Sequence, residues 1–421
     1  MQMSGPARTT SHASSKAAVL DVIRAAGTIS RVGLINATGL TGATISTVVR
    51  GLIEDGLVVE TGRAESTGGK RRVLLELDHS ARYAIGVHLD HAGITYVLTN
   101  LGGAVVGRIS RPGAGAAKPA DVVERMAAEA AALVGSVGID RERVLGLGLV
   151  SPGPLSASAG MAPPPPTMRQ WSDFPLDTAL GQATGLPVLL DNDATAAALG
   201  EHWSGGVDNA ATVAALYMGT GIGAGLLVNG ITYRGASGNA GEVGHICLDP
   251  FGPECWCGAR GCLEALAGPS AVVAAARADK ALARAAGLGR RRSVSADFAA
   301  VSRAARKGEP AALELLERSA RYLAVATRTL ANVMDLEAVV LTGPSFAIAG
   351  AIYLPIVQEE LDRAFFSRAN HPVRVRLSAS AATASAIGAA AMVLQSELVP
   401  LHHGLRLPGN LVESEPPPVG A

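Results

Sequence analysis

The tightest constraint on this chain lies between Glu242 and Glu264: Glu-Val-Gly-His-Ile-Cys-Leu-Asp-Pro-Phe-Gly-Pro-Glu-Cys-Trp-Cys-Gly-Ala-Arg-Gly-Cys-Leu-Glu. Cys255, Cys257 and Cys262 fall within eight residues, and His245 lies ten residues upstream of the first. Thiolate sulfur and imidazole nitrogen suit four-coordinate Zn²⁺. Gly258 and Gly261 let the chain turn tightly enough for the cysteines to face one centre. With His245 as fourth ligand no coordination position stays open, so the predicted site is structural and not hydrolytic. The competing account is three reduced core cysteines beside an unrelated histidine.

Glu242-x-Gly-His245, followed by Cys255-x-Cys257-Gly-x-x-Gly261-Cys262-x-Glu264, resembles the signature of the ROK family. That family holds bacterial sugar kinases, sugar-responsive repressors and uncharacterised proteins. The resemblance implies that His245 and the three cysteines hold zinc. It also implies that the zinc loop sets Glu242, His245 and Glu264 against sugar hydroxyls.

The chain has 421 residues, 36 basic against 36 acidic side chains, 48% hydrophobic residues and 4% aromatics. That length predicts two or three domains. A neutral total gives no general attraction to nucleic acid or membrane, so any DNA contact must come from a local patch. Four cysteines, three of them clustered, fit a reducing compartment with a metal site better than a disulfide framework. Residues 1–15 lack a signal-peptide apolar core, and no apolar run reaches membrane-spanning length, so a cytoplasmic protein without a membrane partner is expected.

Residues 1–14 are polar and are expected to be disordered, and residues 15–80 read as one module. A helical pattern starts near Lys16, with Val19, Leu20 and Ile23 on one face, and stops at Gly27. Ser30 can cap a short second helix, Gly39 supplies a turn, and Thr41 can cap a third helix. In that third helix Ile45, Val48, Val49, Leu52 and Ile53 form the buried stripe. Ala43, Thr44, Ser46, Thr47 and Arg50 are left outside, a face suited to a major groove. Two strands, 57–60 and 72–77, flank a loop with Arg63, Lys70 and Arg71, the form of a wing whose cations suit phosphate. The layout predicts a winged helix-turn-helix; a solvated hairpin on a helical interaction module is the alternative. The segment also resembles the N-terminal winged helix of ROK repressors, a module that ROK kinases generally lack.

Residues 81–400 give three consecutive strands and then strand and helix alternation, which predicts α/β layering. The order fits a two-lobed ribonuclease-H-like fold of the actin and sugar-kinase type. The first lobe is expected over about 81–193 plus a returning helix at 384–396, and the second over about 194–383. Residues 401–421 read as a loose tail.

Asn192 and Asp193 end a strand where a cleft is expected. A carboxylate there can deprotonate a hydroxyl that attacks a phosphoryl group, or can cap the next helix. In ROK kinases the matching Asp is the base and the Asn binds the sugar. Together with Glu242, His245 and Glu264 they form a five-residue polyol site. Gly219, Thr220, Gly221 and Gly223 match the family's second phosphate motif, a turn whose amides can cradle phosphate. The first phosphate motif departs from the family: where kinases carry Asp-x-Gly-Gly-Thr, this chain has His88-Leu-Asp90-His91-Ala92. Asp90 adds bulk and negative charge where a bare glycine amide would approach phosphate, and should repel a polyphosphate. Pro344 removes a further amide donor on the nucleotide side. The expectation is therefore a non-enzymatic, sugar-responsive transcriptional regulator, by resemblance a repressor. Its partners would be operator DNA and a sugar or sugar-phosphate effector, and it would act as a homodimer or homotetramer. The competing function is an active ATP-dependent sugar kinase carrying a DNA-binding module.

Overall fold

The computed structural model describes residues 8–63, 72–156, 160–161, 165–204, 210–289 and 293–398. Three helices open it: α1 (Arg8–Ala26), α2 (Arg31–Thr38) and α3 (Gly42–Glu54). The first begins at Arg8, earlier than the expected start near Lys16. Residues 1–7, the front of the segment expected to be disordered, lie outside the described residues. The helix boundaries follow the caps. Ser30 Oγ accepts the Gly33 amide at 3.2 Å, and Thr41 Oγ1 accepts the Thr44 amide at 3.3 Å. Gly39, at φ 68°, takes the left-handed conformation that closes α2. The break between α2 and α3 bends the chain by 118°, within the helix-turn-helix range. A strand not foreseen in the sequence, β1 (Thr28–Ser30), joins β2 (Val58–Arg63) and β3 (Val73–Leu77) in the order β1-β3-β2. Val19, Val22 and Ile23 of α1 share one core with Ile45, Val48, Val49 and Leu52 of α3.

The first lobe is built on β4 (Tyr83–Leu89), β5 (Gly93–Asn100), β6 (Val105–Pro112), α4 (Pro119–Val137) and β7 (Val144–Ser151). It continues through the short pair β8 (Leu155–Ser156) and β9 (Gly160–Met161), α5 (Leu176–Thr184) and β10 (Val188–Asn192). Its sheet runs β10-β7-β4-β5-β6, parallel from β10 to β4 and antiparallel beyond. Trp171, 1% exposed, fills the core beside this sheet.

The helix α6 (Asp193–Trp203) leads to the second lobe. There β11 (Thr212–Met218), β12 (Ile222–Val228) and β13 (Ile231–Thr232) form a meander, followed by α7 (Leu263–Ala267), α8 (Pro269–Ala278), α9 (Lys280–Ala285), α10 (Val294–Arg306) and α11 (Pro310–Met334). The chain closes with β14 (Ala338–Thr342), α12 (Phe346–Ala364), β15 (Arg374–Leu377) and α13 (Ala384–Leu398). This sheet runs β13-β12-β11-β14-β15. As expected, α13 returns to the first lobe, where a Cβ at Gly86 or Gly148 would stand 1.9 Å from its carbonyls of Ala386 and Ala389. No boundary at residue 193 separates the lobes cleanly, because α6 packs on α13 and on β12 alike: Ala194 O would lie 2.2 Å from a Cβ at Gly225. The tail at 401–421 lies outside the described residues.

Candidate functional site

The two lobes enclose a cavity of about 680 Å³. All five residues of the expected polyol site line it: Asn192, Asp193, Glu242, His245 and Glu264. The strand β10 delivers the first two. Asn192 caps α6, its Oδ1 accepting the amides of Ala194 at 2.9 Å and Thr195 at 3.0 Å. Its Nδ2 is turned toward the loop at Gly153, where an added Cβ would stand 2.9 Å from it and 3.3 Å from Glu242 Oε1. Asp193, 7% exposed, accepts its neighbour's amide through Oδ1. The cap at this strand end is thus Asn192 and not the Asp193 carboxylate, and both residues line the cavity. Burial, followed by the charges of Asp193 and Glu264, raises the pKa of Glu242 to about 7.

Glu264 is held by two donors. The Ile222 amide reaches its Oε2 at 2.9 Å, and Trp256 Nε1 reaches Oε1 at 2.8 Å. Trp256 escaped the sequence reading because nothing distinguishes a residue between two cysteines from a spacer. It lines the cavity and sets its indole edge-on to His245, with centroids 5.2 Å apart.

The ligand atoms of His245, Cys255, Cys257 and Cys262 all lie within 4.8 Å of one another. Cys255 Sγ is 3.6 Å from His245 Nδ1, and Cys257 Sγ is 3.7 Å from Cys262 Sγ. A tetrahedral ion bonded at about 2.3 Å to sulfur and about 2.0 Å to nitrogen sets those separations near ~3.6 and ~3.8 Å. The four residues therefore fit a metal ion. Burial pushes the Cys262 thiol up to about 12 and raises Cys255, whereas the Ala259 amide lowers Cys257. A bound cation would offset the cost of burying thiolates here. Gly261 keeps the loop closed: its φ is 63°, and a Cβ would stand 1.6 Å from Asp249 O. The fourth cysteine, Cys247, is exposed and is not part of the cluster.

At the phosphate end, the turn is shorter than the glycine spacing suggested. Gly219 and Gly221 close it through a 3.1 Å backbone bond, whereas Gly223 lies within β12. Gly223 is small because Ala194 of α6 presses on the strand, 3.1 Å from where its Cβ would be. Gly221, Thr220 and Gly223 line the cavity. The Ile222 amide beside the turn is already occupied by Glu264. Opposite stand His88 and Asp90, each 7% exposed. His88 Nε2 is 3.4 Å from Asp193 Oδ2 and 3.4 Å from Tyr217 Oη. Thr220 Oγ1 donates to Asp90 Oδ1 at 3.5 Å. Burial pushes the His88 imidazole down, but the hydrogen bond to Asp193 and its charge, helped by Asp90, outweigh this and raise its pKa. Asp90 is raised by burial and by Asp193, against His88. Sequence analysis located His88 and Asp90 but not their partners across the lobes. Asp191, next to the cap, pairs its carboxylate with Arg234 of the second lobe at 2.6 Å.

On the winged helix, Ala43, Ser46, Thr47 and Arg50 are exposed along one side of α3, and Thr41 is exposed at its cap. Thr44 is half-buried and tied to the cap, its Oγ1 2.9 Å from that of Thr41. Arg63 ends β2; Lys70 and Arg71 lie outside the described residues.

A helix-turn-helix with a three-stranded sheet, joined to a two-lobed cleft lined by polar side chains, defines a class in which a DNA-binding fold is attached to a sugar-kinase-like domain. The ROK family profile matches residues 92–396. The xylose repressor of Caldicellulosiruptor bescii is 29% identical over 381 residues, covering 88% of this chain and 92% of that one. A crystal structure of a ROK family transcriptional regulator, a homolog of the E. coli MLC protein, superposes with a TM-score of 0.71 at 25% identity, covering 92% of this chain and 97% of its own. A ROK family glucokinase from Streptomyces griseus, in complex with glucose and AMPPNP, gives 0.64 at 27% identity, but covers only 74% of this chain and 98% of its own. This chain belongs to the ROK family. Its likeness to the regulator takes in nearly its whole length, whereas its likeness to the kinase leaves about a quarter unmatched.

Proposed function

We propose that the chain is a sugar-responsive transcriptional repressor without kinase activity. One juxtaposition supports this reading: the sugar end of the cleft is complete, while its phosphate end is filled by the His88–Asp193–Tyr217 contacts and the Asp90 carboxylate. Asn192, Asp193, Glu242, His245 and Glu264 read the hydroxyls of a sugar or sugar derivative. Zn²⁺ on His245, Cys255, Cys257 and Cys262 is structural. It holds Trp256, and through it Glu264, at the cavity wall. A polyphosphate entering beside Asp90 would meet a buried negative charge instead of amides.

Thr47, Ser46, Ala43 and Arg50 of α3 enter the major groove, with Thr41 at the helix start and the wing cations Arg63, Lys70 and Arg71 on phosphates. One helix-turn-helix covers a half-site, so the functional unit is a homodimer or homotetramer. The cellular place of such a protein is the cytoplasm; among the described residues no single helix is long and apolar enough to cross a membrane.

The test is fluorescence anisotropy on DNA from upstream of the coding region, with unrelated DNA as competitor, followed by a panel of free, amino and phosphorylated sugars. Specific binding released by one sugar is the expected outcome. No specific binding, together with sugar-dependent ADP release abolished by Asp193→Asn, would establish the kinase instead.

A further inference from the structure

The effector cleft and the DNA reader are joined by α6. Its first residue, Asp193, is a cavity wall, and its cap, Asn192, is another. Its last residue, Trp203, is 9% exposed and lies against the winged helix. The helix has 11 residues, a rod of about 16 Å at 1.5 Å per residue.

The Trp203 end is packed very differently from the rest of the helix. Along its length α6 interlocks with α13 through small residues. A Cβ at Gly200 would stand 2.2 Å from Ala384 O, and one at Gly388 would stand 1.7 Å from Ala196 O. Ser385 Oγ donates to Asp193 O at 2.9 Å in the same seam. Glu201 reaches the second lobe, accepting Thr342 Oγ1 at 2.9 Å. So close a contact leaves no room for sliding, and a shift at Asp193 is passed along as a rigid-body movement.

At Trp203 the packing loosens. The Arg24 guanidinium carbon sits 4.3 Å from the indole centroid, a cation–π contact. Arg24 is oriented by Asp21 one turn away, at 3.0 and 2.9 Å. Trp203 Nε1 is buried with no hydrogen-bond partner. A small void opens between Trp203, Leu20 and Asp21 of α1, Leu77 of β3, and Leu394 of α13. An orphaned donor and a gap of about 10 Å³ beside a cation–π pair mark a contact that is not optimised in this arrangement, unlike the seam with α13. Because α1 shares its core with α3, displacement of α1 re-aims the reading face.

We propose that α6 carries effector occupancy from the cleft to the winged helix, and that Trp203 and Arg24 form the joint through which that occupancy lowers operator affinity. This rests on the effector reading of the cleft given above. Neither residue touches sugar or DNA in this scheme. Their contribution is to the coupling between two sites, which is measured as the ratio of operator affinities without and with effector.

The experiment uses the full-length protein, its upstream DNA, and D-xylose, D-glucose and N-acetylglucosamine as probes. Sugar binding is measured by calorimetry and operator binding by anisotropy, for the wild type, Arg24→Met and Trp203→Phe. The expected result is that both variants bind the active sugar and the sugar-free operator within about threefold of wild type, while the sugar-induced fall in operator affinity shrinks by about tenfold. Wild-type sugar binding with an undiminished operator response in both variants overturns the joint. Failure of all three sugars, and then of the amino and phosphorylated sugars of the panel above, to bind by calorimetry overturns the effector reading itself, and with it any signal for α6 to carry. A variant that does not fold loses sugar-free operator binding as well, and the other variant then decides.

Discussion

Replacing Asn192 separates its two roles. In Asn192→Ala the α6 cap disappears. Ala194 N keeps a second acceptor, Asp193 Oδ1 at 2.8 Å, so the donor left unpaired is Thr195 N, in a residue only 2% exposed. One orphaned buried donor costs about 1–3 kcal/mol, and loss of an Asn cap costs about 0.5–2 kcal/mol. The overlap gives about 1–2 kcal/mol, which lowers the melting temperature of a domain of this size by roughly 1.5–3 °C. Asn192→Asp keeps the acceptor and places a negative charge at the helix N-terminus, so α6 stays capped. What it removes is the Nδ2 donor, in a cleft that already holds Asp193, Glu242 and Glu264. Sugar affinity should fall by about tenfold, the worth of roughly one hydrogen bond. Thermal unfolding reports the first effect and calorimetry with the active sugar the second. Asn192→Ala melting with the wild type would refute the cap, and Asn192→Asp binding sugar at full strength would refute the amide as a reader.

Gly221→Ala places a Cβ 2.3 Å from Glu264 Oε2 and should displace that carboxylate; calorimetry should show sugar affinity down by about tenfold or more, and the melting temperature should fall as well, because the buried Ile222 amide loses its acceptor. Chelation, or Cys257→Ser, should release Trp256 from Glu264 and weaken sugar binding; zinc content by atomic absorption, compared with the calorimetric affinity, checks this. His88 and Asp90 both have pKa values raised by the fold, so each favours folding when protonated. Their contribution should be fully present below their unfolded values and lost as pH rises through the raised ones, and melting curves of wild type and His88→Gln between pH 4 and 9 should diverge most at the acid end.

The winged helix was legible because its boundaries are written in local chemistry: Ser30 and Thr41 accept amides at helix starts, Gly39 takes the left-handed turn, and the apolar stripe of α3 repeats at helical spacing. The gathering of His245 with the three cysteines, and of Glu242 and Glu264 at the cavity wall, was legible for a similar reason, since all fall in one short stretch. What escaped depends on contacts across long sequence separations. The helix after Asp193 was expected, but α6 is buried on every side, and its Ala-Thr-Ala-Ala-Ala-Leu-Gly run has no polar face from which to read what it packs against. Its small residues make sense only with α13 in place. Gly223 was grouped with the phosphate turn because glycine spacing does not tell a turn from a strand thinned by a neighbouring helix. The side chain of Thr44 proved to be spent on the cap and not presented beside Ser46 and Thr47.

The three tryptophans of this chain stand at three stations. Trp171 is sealed in the first lobe, Trp203 sits at the joint with α1, and Trp256 borders the cleft with 37% of its surface open. Each senses a different environment: an apolar interior, a guanidinium, and a carboxylate. The protein thus carries its own optical labels. Exchanging two of them for phenylalanine leaves a single emitter that reports on cleft, joint or interior alone, and the order in which their signals change after rapid mixing gives the sequence of events without an added dye.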